Sequence, residues 1–177
     1  MKSIRAAFLA VSCALAIPGA GPAAAQSLAE IEQRENALAT AWEATPLTIR
    51  RAVFVSKRAE LYGQFTQRPN TVFKPGEALL TYVEPVGYNW KPAGPDGFAF
   101  GLTLDFVIKS KTGEILGGQE KFLNYAQTSR HKLRELMVNI TLNLTGAPPG
   151  DYVVEWRMRD DNSPKAVTFE QPFSIAR

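Results

Sequence analysis

The residues able to do acid–base or nucleophilic chemistry are few in this sequence. His131 is the only histidine, and it lies among Arg130, Lys132 and Arg134. A Ser-His-Asp triad would have to use it together with Ser129, but no Gly-x-Ser-x-Gly motif is present. We therefore interpret His131 as a solvated loop residue, and the sequence predicts no catalytic residue and no enzyme.

Metal and cofactor chemistry also lacks a set of ligands. A zinc site needs convergent His and Cys side chains, whereas this chain has one histidine and one cysteine, Cys13. The run Asp160-Asp161-Asn162 offers oxygen atoms, but it lacks the spacing of a calcium loop and suits a hairpin tip. No glycine-rich phosphate loop is present. We expect no metal and no cofactor.

Paired carboxylates are the remaining route to catalysis, as in glycoside hydrolases. The chain has 17 acidic residues, so some close pair is inevitable and carries no weight. Asp105 is the most informative acid because it lies in mid-strand between Leu104 and Phe106. A covered carboxylate needs a partner such as Arg157, and we expect a structural ion pair there.

Residues 85–97 are the candidate binding segment. Tyr88 and Trp90 lie here outside any alternating run, and both residue types are enriched in binding hot spots. Three polar residues flank them and could contact a ligand: Glu84, Lys91 and Asp96. Either the loop presents its aromatic rings to a partner, or it folds back and Trp90 caps the core. The second alternative is favoured because a lone exposed Trp is unusual.

The first 25 residues predict an export signal. Lys2 and Arg5 precede an apolar run over residues 6–17, and Ala23-Ala24-Ala25 offers a cleavage site. The run is too short to span a hydrocarbon core ~30 Å thick. Acylation of Cys13 is the alternative, but the apolar run before it is short. We expect a periplasmic or secreted protein with no membrane span after signal cleavage.

Removal of this signal leaves 152 residues with a net charge of +1 and no cysteine. So small a net charge predicts no nucleic-acid partner. About 150 residues suffice for one core without disulfides. We expect a helical lead-in over residues 26–46 and one β domain over residues 47–177. Ser27 is the predicted N-cap of the helix, and Glu30 would complete a capping box.

Period-two alternation of apolar and polar residues dominates the β domain. Strands are predicted at residues 47–56, 59–65, 78–84, 98–110 (the longest) and 114–122, with a polar loop or helical turn at 124–134. Residues 136–175 carry three further alternating runs separated by turns, which predict an antiparallel meander. The predicted core contains Phe100, Leu102, Leu104, Phe106, Val138, Ile140, Leu142, Val154, Trp156, Phe169 and Phe173.

Seven or eight strands with turns every eight to twelve residues are typical of one fold class. We predict an all-β fold: a single antiparallel immunoglobulin-like β-sandwich with one N-terminal helix. A closed barrel is the main competitor.

Short motifs at strand ends carry a resemblance. Phe73-Lys74-Pro75-Gly76-Glu77 and Gly150-Asp151-Tyr152 resemble the "PGE … GxY" pattern of secreted immunoglobulin-like and macroglobulin-type sandwich modules. A wider set is similar to a family of uncharacterised exported bacterial proteins: Tyr62-Gly63, Tyr82-Val83-Glu84-Pro85, Gly97-Phe98, Asp105-Phe106, Asp160, Lys165 and Pro172-Phe173. The resemblance covers about residues 62–175. It implies the fold and export, and it implies no activity.

Together these features favour an exported, non-catalytic β-sandwich module. The expected role is protein interaction or envelope structure, with an envelope protein as the partner. The alternative is a small-ligand or carbohydrate-binding module, with a glycan bound at the aromatic loop of residues 85–97.

Overall fold

The computed structural model describes residues 27–177, so the predicted signal lies outside the described residues. This part of the chain contains one helix and nine strands: α1 (Leu28–Ala44), β1 (Thr48–Phe54), β2 (Val72–Phe73), β3 (Leu79–Val86), β4 (Lys91–Pro92), β5 (Phe98–Ser110), β6 (Ile115–Ser129), β7 (Val138–Leu142), β8 (Gly150–Asp160) and β9 (Ala166–Ile175). The fold is mostly β with one N-terminal helix, as predicted.

Helix α1 begins where the sequence predicts. The Ser27 side chain accepts a hydrogen bond of 3.2 Å from the Glu30 amide, which satisfies one free donor of the first turn. The Glu30 carboxylate accepts a bond from Arg34 instead of completing the capping box. Only Ala39 and Trp42 of the helix are buried, so α1 is attached to the body through its last turns.

The smaller sheet has three strands in the order β1-β3-β7. Its central strand, β3, has apolar residues on both faces, and Leu79, Tyr82 and Val83 are all fully buried. This confirms the strand that was predicted at residues 78–84. Both neighbours of β3 pair with it in the antiparallel direction.

The larger sheet has six strands in the order β2-β9-β8-β5-β4, with β6 also paired to β5. It is mixed because β2 pairs with β9 in the parallel direction, whereas an antiparallel fold was predicted. β6 has 15 residues and exceeds β5, with 13, which was predicted to be the longest. β6 runs on to Ser129 because Tyr125 and Gln127 continue the pairing with β5, so the predicted loop over residues 124–134 begins later.

The predicted meander over residues 136–175 is wrong at its first turn. β7 pairs with β3, while β8 and β9 pair with each other in the other sheet. Residues 143–149 carry the chain from one sheet to the next. Alternation shows which side of a strand faces the core, but it does not show which strand lies beside it.

The predicted strand over residues 59–65 is also wrong. Gly63 has a φ of 74° there, and only an isolated bridge joins Leu61 to Gln64. The Gly63 amide donates a hydrogen bond of 2.7 Å to the Tyr82 hydroxyl. Turn geometry at Gly63 therefore replaces a regular strand, although the apolar residues there suit one.

One cluster of buried side chains draws on both sheets. Gln171 joins them within it: its side-chain oxygen accepts hydrogen bonds from the Thr81 hydroxyl at 3.1 Å and the Trp156 indole at 3.0 Å. Of the predicted core, Phe106 and Phe169 are only partly buried, and the other nine residues are buried. These two side chains lie toward the margins of the cluster, where fewer neighbours cover them.

One glycine of the Gly117-Gly118 pair lies where two strands approach each other closely. A Cβ atom on Gly118 would lie 2.5 Å from the Phe106 carbonyl oxygen, so only glycine fits there. A Cβ atom on Gly117 would meet no atom within 4 Å. The two glycines thus differ: Gly118 is required by packing, and Gly117 leaves open space beside β6.

Candidate functional site

The aromatic loop of residues 85–97 folds back on the core. Tyr88 is fully buried, and Trp90 is 8% exposed. The Trp42 indole donates a hydrogen bond of 3.0 Å to the Tyr88 carbonyl oxygen. The Tyr88 hydroxyl donates one of 2.9 Å to the carbonyl oxygen of Leu133. The structure therefore places both rings as in the second alternative, with Trp90 in the core.

These rings form an aromatic junction between α1 and the larger sheet: Trp42, Tyr88, Trp90 and Phe100. The rings of Trp42 and Tyr88 meet edge to face at 5.3 Å between centroids, and Tyr88 lies 4.7 Å from Phe100. Burial raises the pKa of the Tyr88 hydroxyl well above its usual value. The junction holds the helix and presents no aromatic platform to solvent.

The three polar residues predicted beside these rings lie apart from one another. Glu84 is buried within β3, where its carboxylate accepts a hydrogen bond of 2.9 Å from the Tyr82 hydroxyl. Arg51 lies 3.6 Å from the same carboxylate. Lys91 is exposed in β4, and Asp96 is exposed in the turn before β5. Of the residues predicted to bind a ligand, the structure brings Tyr88 and Trp90 together. It does not bring Glu84, Lys91 and Asp96 to the same place.

Tyr82 and Glu84 form a buried polar pair in which the pKa of Tyr82 is raised. Burial is the largest cause that raises the pKa of Tyr82 to about 12, and the neighbouring Glu84 carboxylate adds to it. The amide of Gly63 donates to the same hydroxyl. Donation to the Glu84 carboxylate favours the neutral form of the Tyr82 hydroxyl, whereas the hydrogen bond from the Gly63 amide lowers its pKa.

His131 lies in an exposed segment beside the helix. It lines a shallow cleft of about 200 Å³ together with Arg130, Lys132, Arg134 and Glu35. The backbone amide of His131 donates a hydrogen bond to the Ser129 hydroxyl. Within residues 27–177, no group of three or more His, Cys, Asp or Glu side chains is placed to hold a metal ion.

Asp105 forms an ion pair, but not with the predicted partner. Its carboxylate lies 2.6 Å from a guanidinium nitrogen of Arg159, and it also accepts a hydrogen bond of 2.7 Å from the amide of Lys121. Arg157 is directly opposite Asp105 in the register. Lys121 has a φ of 50° at a register shift of β6, so Asp105 stabilises a β-bulge as well as an ion pair.

The described part of the chain also has an open apolar groove, which sequence reasoning missed. It has a volume of about 520 Å³ and lies between the start of β6 and the segment after β7. Twelve residues line it: Phe106, Ile108, Leu116, Gly117, Gly118, Asn143, Leu144, Thr145, Gly146, Ala147, Pro148 and Tyr152. All twelve are uncharged. Its sequence signal is the run Ile115-Leu116 beside two glycines on an edge strand.

The groove exists because the two sheets differ in width. β1 contacts β9 at one side of the molecule, so β7 lies toward the β5–β6 side. The smaller sheet ends at β7, and the larger one continues to β6. Leu116 is consequently 51% exposed and Ile115 68% exposed. Among the described strands, β7 pairs only with β3, which leaves its other edge without a strand partner.

Comparisons with known proteins add no relative to this description. No protein-family model matches the chain, and no curated protein matches it. No helix within residues 27–177 is both long and apolar enough to cross a membrane.

Proposed function

We propose that this chain is an exported, non-catalytic protein-interaction module whose two sheets form an immunoglobulin-like sandwich. The observation that carries the proposal is the apolar groove. Large apolar side chains such as Leu116 are exposed at its rim, next to strand edges that have no partner in the described chain. Exposed apolar surface of this kind marks interaction sites on soluble domains.

The second role considered, carbohydrate or small-ligand binding at residues 85–97, gains no support from the aromatic residues. Glycan binding by stacking needs exposed ring faces, and Tyr88 and Trp90 are buried. Lys91 and Asp96 are exposed, but they lie outside the aromatic junction. We therefore assign the binding role to the groove.

The proposal also includes export of the chain from the cytoplasm. It rests on the basic start, the apolar run over residues 6–17 and the small residues that end at Ala25. Mass spectrometry of the protein recovered from a bacterial periplasm would give the mature N-terminus. A chain that begins at Gln26 supports export, whereas a cytoplasmic full-length chain or a lipid on Cys13 would overturn it.

Site-specific photo-crosslinking tests the interaction role. A photoreactive amino acid at Leu116 should give a discrete adduct with an envelope protein in cells. The same group at Leu61, which is 59% exposed elsewhere, is the matched control and should give none. Adducts at both positions, or at neither, would contradict a role for the groove.

The substitution Gly117→Phe tests the same role from inside the groove. The open space beside Gly117 lets a side chain enter the groove without a clash. The variant should fold and lose the adduct at Leu116. Thr128→Phe places the same side chain at an exposed position of β6 outside the groove lining, and it should keep the adduct.

A further inference from the structure

The lining of the apolar groove includes Asn143, which directly follows β7, so the end of that strand brings backbone hydrogen-bonding groups next to the apolar surface. β7 is an edge strand, so on its free side the N–H and C=O groups have no strand partner among the described residues. Such an edge accepts an added strand, whose backbone completes the ladder. A helix or a small apolar molecule in the groove would leave these groups unpaired, which favours an extended occupant.

The other edge strand at the groove, β6, is a poorer acceptor. β6 is interrupted by the bulge at Lys121, whose amide is turned to the Asp105 carboxylate. Bulges and charged side chains on an edge hinder the addition of a further strand. β7 has an unbroken register with β3 over all five residues. The continuous edge is therefore that of β7.

The lining of the groove defines the chemistry of the occupant. None of its twelve residues carries a charge, and side chains such as Phe106, Leu116 and Leu144 supply apolar surface. A charged side chain placed there would lose water without gaining an opposite charge. An occupant that matches this lining is itself uncharged and mainly apolar on the side that faces it.

We propose that the apolar groove receives one extended, uncharged segment of a partner protein, which adds as a fourth strand to the free edge of β7. This inference rests on the proposed function and specifies its partner. One part of the added strand would pair with β7, and the part that continues past Leu142 would place alternate side chains in the groove, over Leu116. Hydrogen bonds give affinity in this mode, and the groove gives specificity.

The test uses uncharged ten-residue peptides rich in Val, Ile, Leu, Thr and Ser, displayed as a library and selected on the mature chain. Counter-selection on the Gly117→Phe variant retains peptides that need the groove. The selected peptides should bind wild type and Thr128→Phe equally, and Gly117→Phe at least ~10-fold more weakly. A selection that yields no peptide able to distinguish wild type from Gly117→Phe overturns the inference.

Two modified peptides separate strand addition from simple apolar binding. N-methylation of alternate amides on one edge removes hydrogen-bond donors, and it should weaken binding at least ~10-fold when that edge faces β7. A Lys at a groove-facing position should weaken it similarly. When the peptide binds, hydrogen exchange should become slower for amides in residues 138–144 and should stay unchanged for amides in β9.

The outcomes distinguish the inference from the proposed function. Crosslinking at Leu116 together with no effect of N-methylation on either edge would keep the interaction role and overturn strand addition. Slowed exchange in β6 but not β7 would also overturn it. If the wild-type chain gives no adduct at Leu116 and binds none of the peptides, the interaction role itself is overturned.

Discussion

Lys165 Nζ donates a hydrogen bond of 2.5 Å to the Glu43 carbonyl oxygen, across 122 residues of sequence. The same ammonium donates to the Gly87 carbonyl oxygen at 2.8 Å and to the Asn89 side-chain oxygen at 2.7 Å. All three donors of the lysine are thus used. The charge lies near the C-terminal end of α1, where a cation is favourable, and it joins the helix, the aromatic loop and the β8–β9 hairpin.

Replacement of this lysine should loosen the helix. Lys165→Met keeps much of the side-chain volume but leaves the two carbonyl oxygens without their donor, so we expect a loss of ~2–3 kcal/mol in the free energy of unfolding. Urea unfolding followed by Trp fluorescence measures it. Lys57→Met, at an exposed lysine, is the control and should change stability by less than ~0.5 kcal/mol. Equal effects of the two substitutions would contradict the assigned role.

Trp90→Ala should destabilise the protein by ~3–5 kcal/mol because it removes a buried ring from the aromatic junction. Lys91→Ala and Asp96→Ala should be nearly neutral, since both side chains are exposed. Chemical denaturation of the three variants gives the comparison. If Trp90→Ala unfolds at the wild-type urea concentration, the indole contributes little to the core and its burial is misassigned.

The aromatic junction shows what the sequence can and cannot supply. Trp42 lies in the predicted N-terminal helix and Trp90 in a Pro- and Gly-rich loop, so their residue types indicate burial or binding. Their contact depends on where α1 docks, and no local pattern encodes that. The N-cap at Ser27 was predictable because its hydrogen bond to Glu30 is local.

The wrong predictions from the sequence also arise from pairing between residues that are distant in the chain. β7 has the alternation of a meander strand, yet it pairs with β3, more than 50 residues earlier. Asp105 was expected to pair with Arg157, which is opposite in the register, but Arg159, displaced by two residues along β8, makes the bond. The apolar groove arises only from the unequal widths of two sheets. Each of these features depends on neighbours that are distant in sequence.

Stability should fall at alkaline pH because of Tyr82. Its folded pKa is raised to about 12 from the usual value of 10.0, so its contribution is fully present below pH 10 and is lost as the pH rises through 12. We expect a decrease of roughly 1–3 kcal/mol across this window. Urea unfolding between pH 8 and 12 measures it.

Tyr82→Phe is the control for that pH dependence. The variant loses the hydrogen bond to Glu84 and is less stable at every pH, but its alkaline decrease should be smaller than that of wild type. Part of the decrease remains because burial also raises the pKa of Tyr88. Parallel curves for wild type and variant would refute the assignment to Tyr82.

A double-mutant cycle should locate the partner of Asp105. Asp105→Ala and Arg159→Ala should couple by ~1 kcal/mol, because their side chains form a partly covered ion pair. Asp105→Ala and Arg157→Ala should couple by less than ~0.3 kcal/mol. The cycle is read from free energies of unfolding. A larger coupling with Arg157 would show that the register neighbour is the energetic partner.

The bond from Lys165 to Glu43 also bears on the order of folding during the export that we propose. A chain that crosses a membrane N-terminus first delivers α1 long before Lys165 emerges. Until then the Glu43 carbonyl oxygen lacks its hydrogen bond from Lys165, and β8 has not yet paired with β9. Folds that depend on such distant contacts form slowly, on a scale of about milliseconds to seconds. The chain would therefore complete its structure only after nearly all of it has been translocated, which keeps it extended for passage.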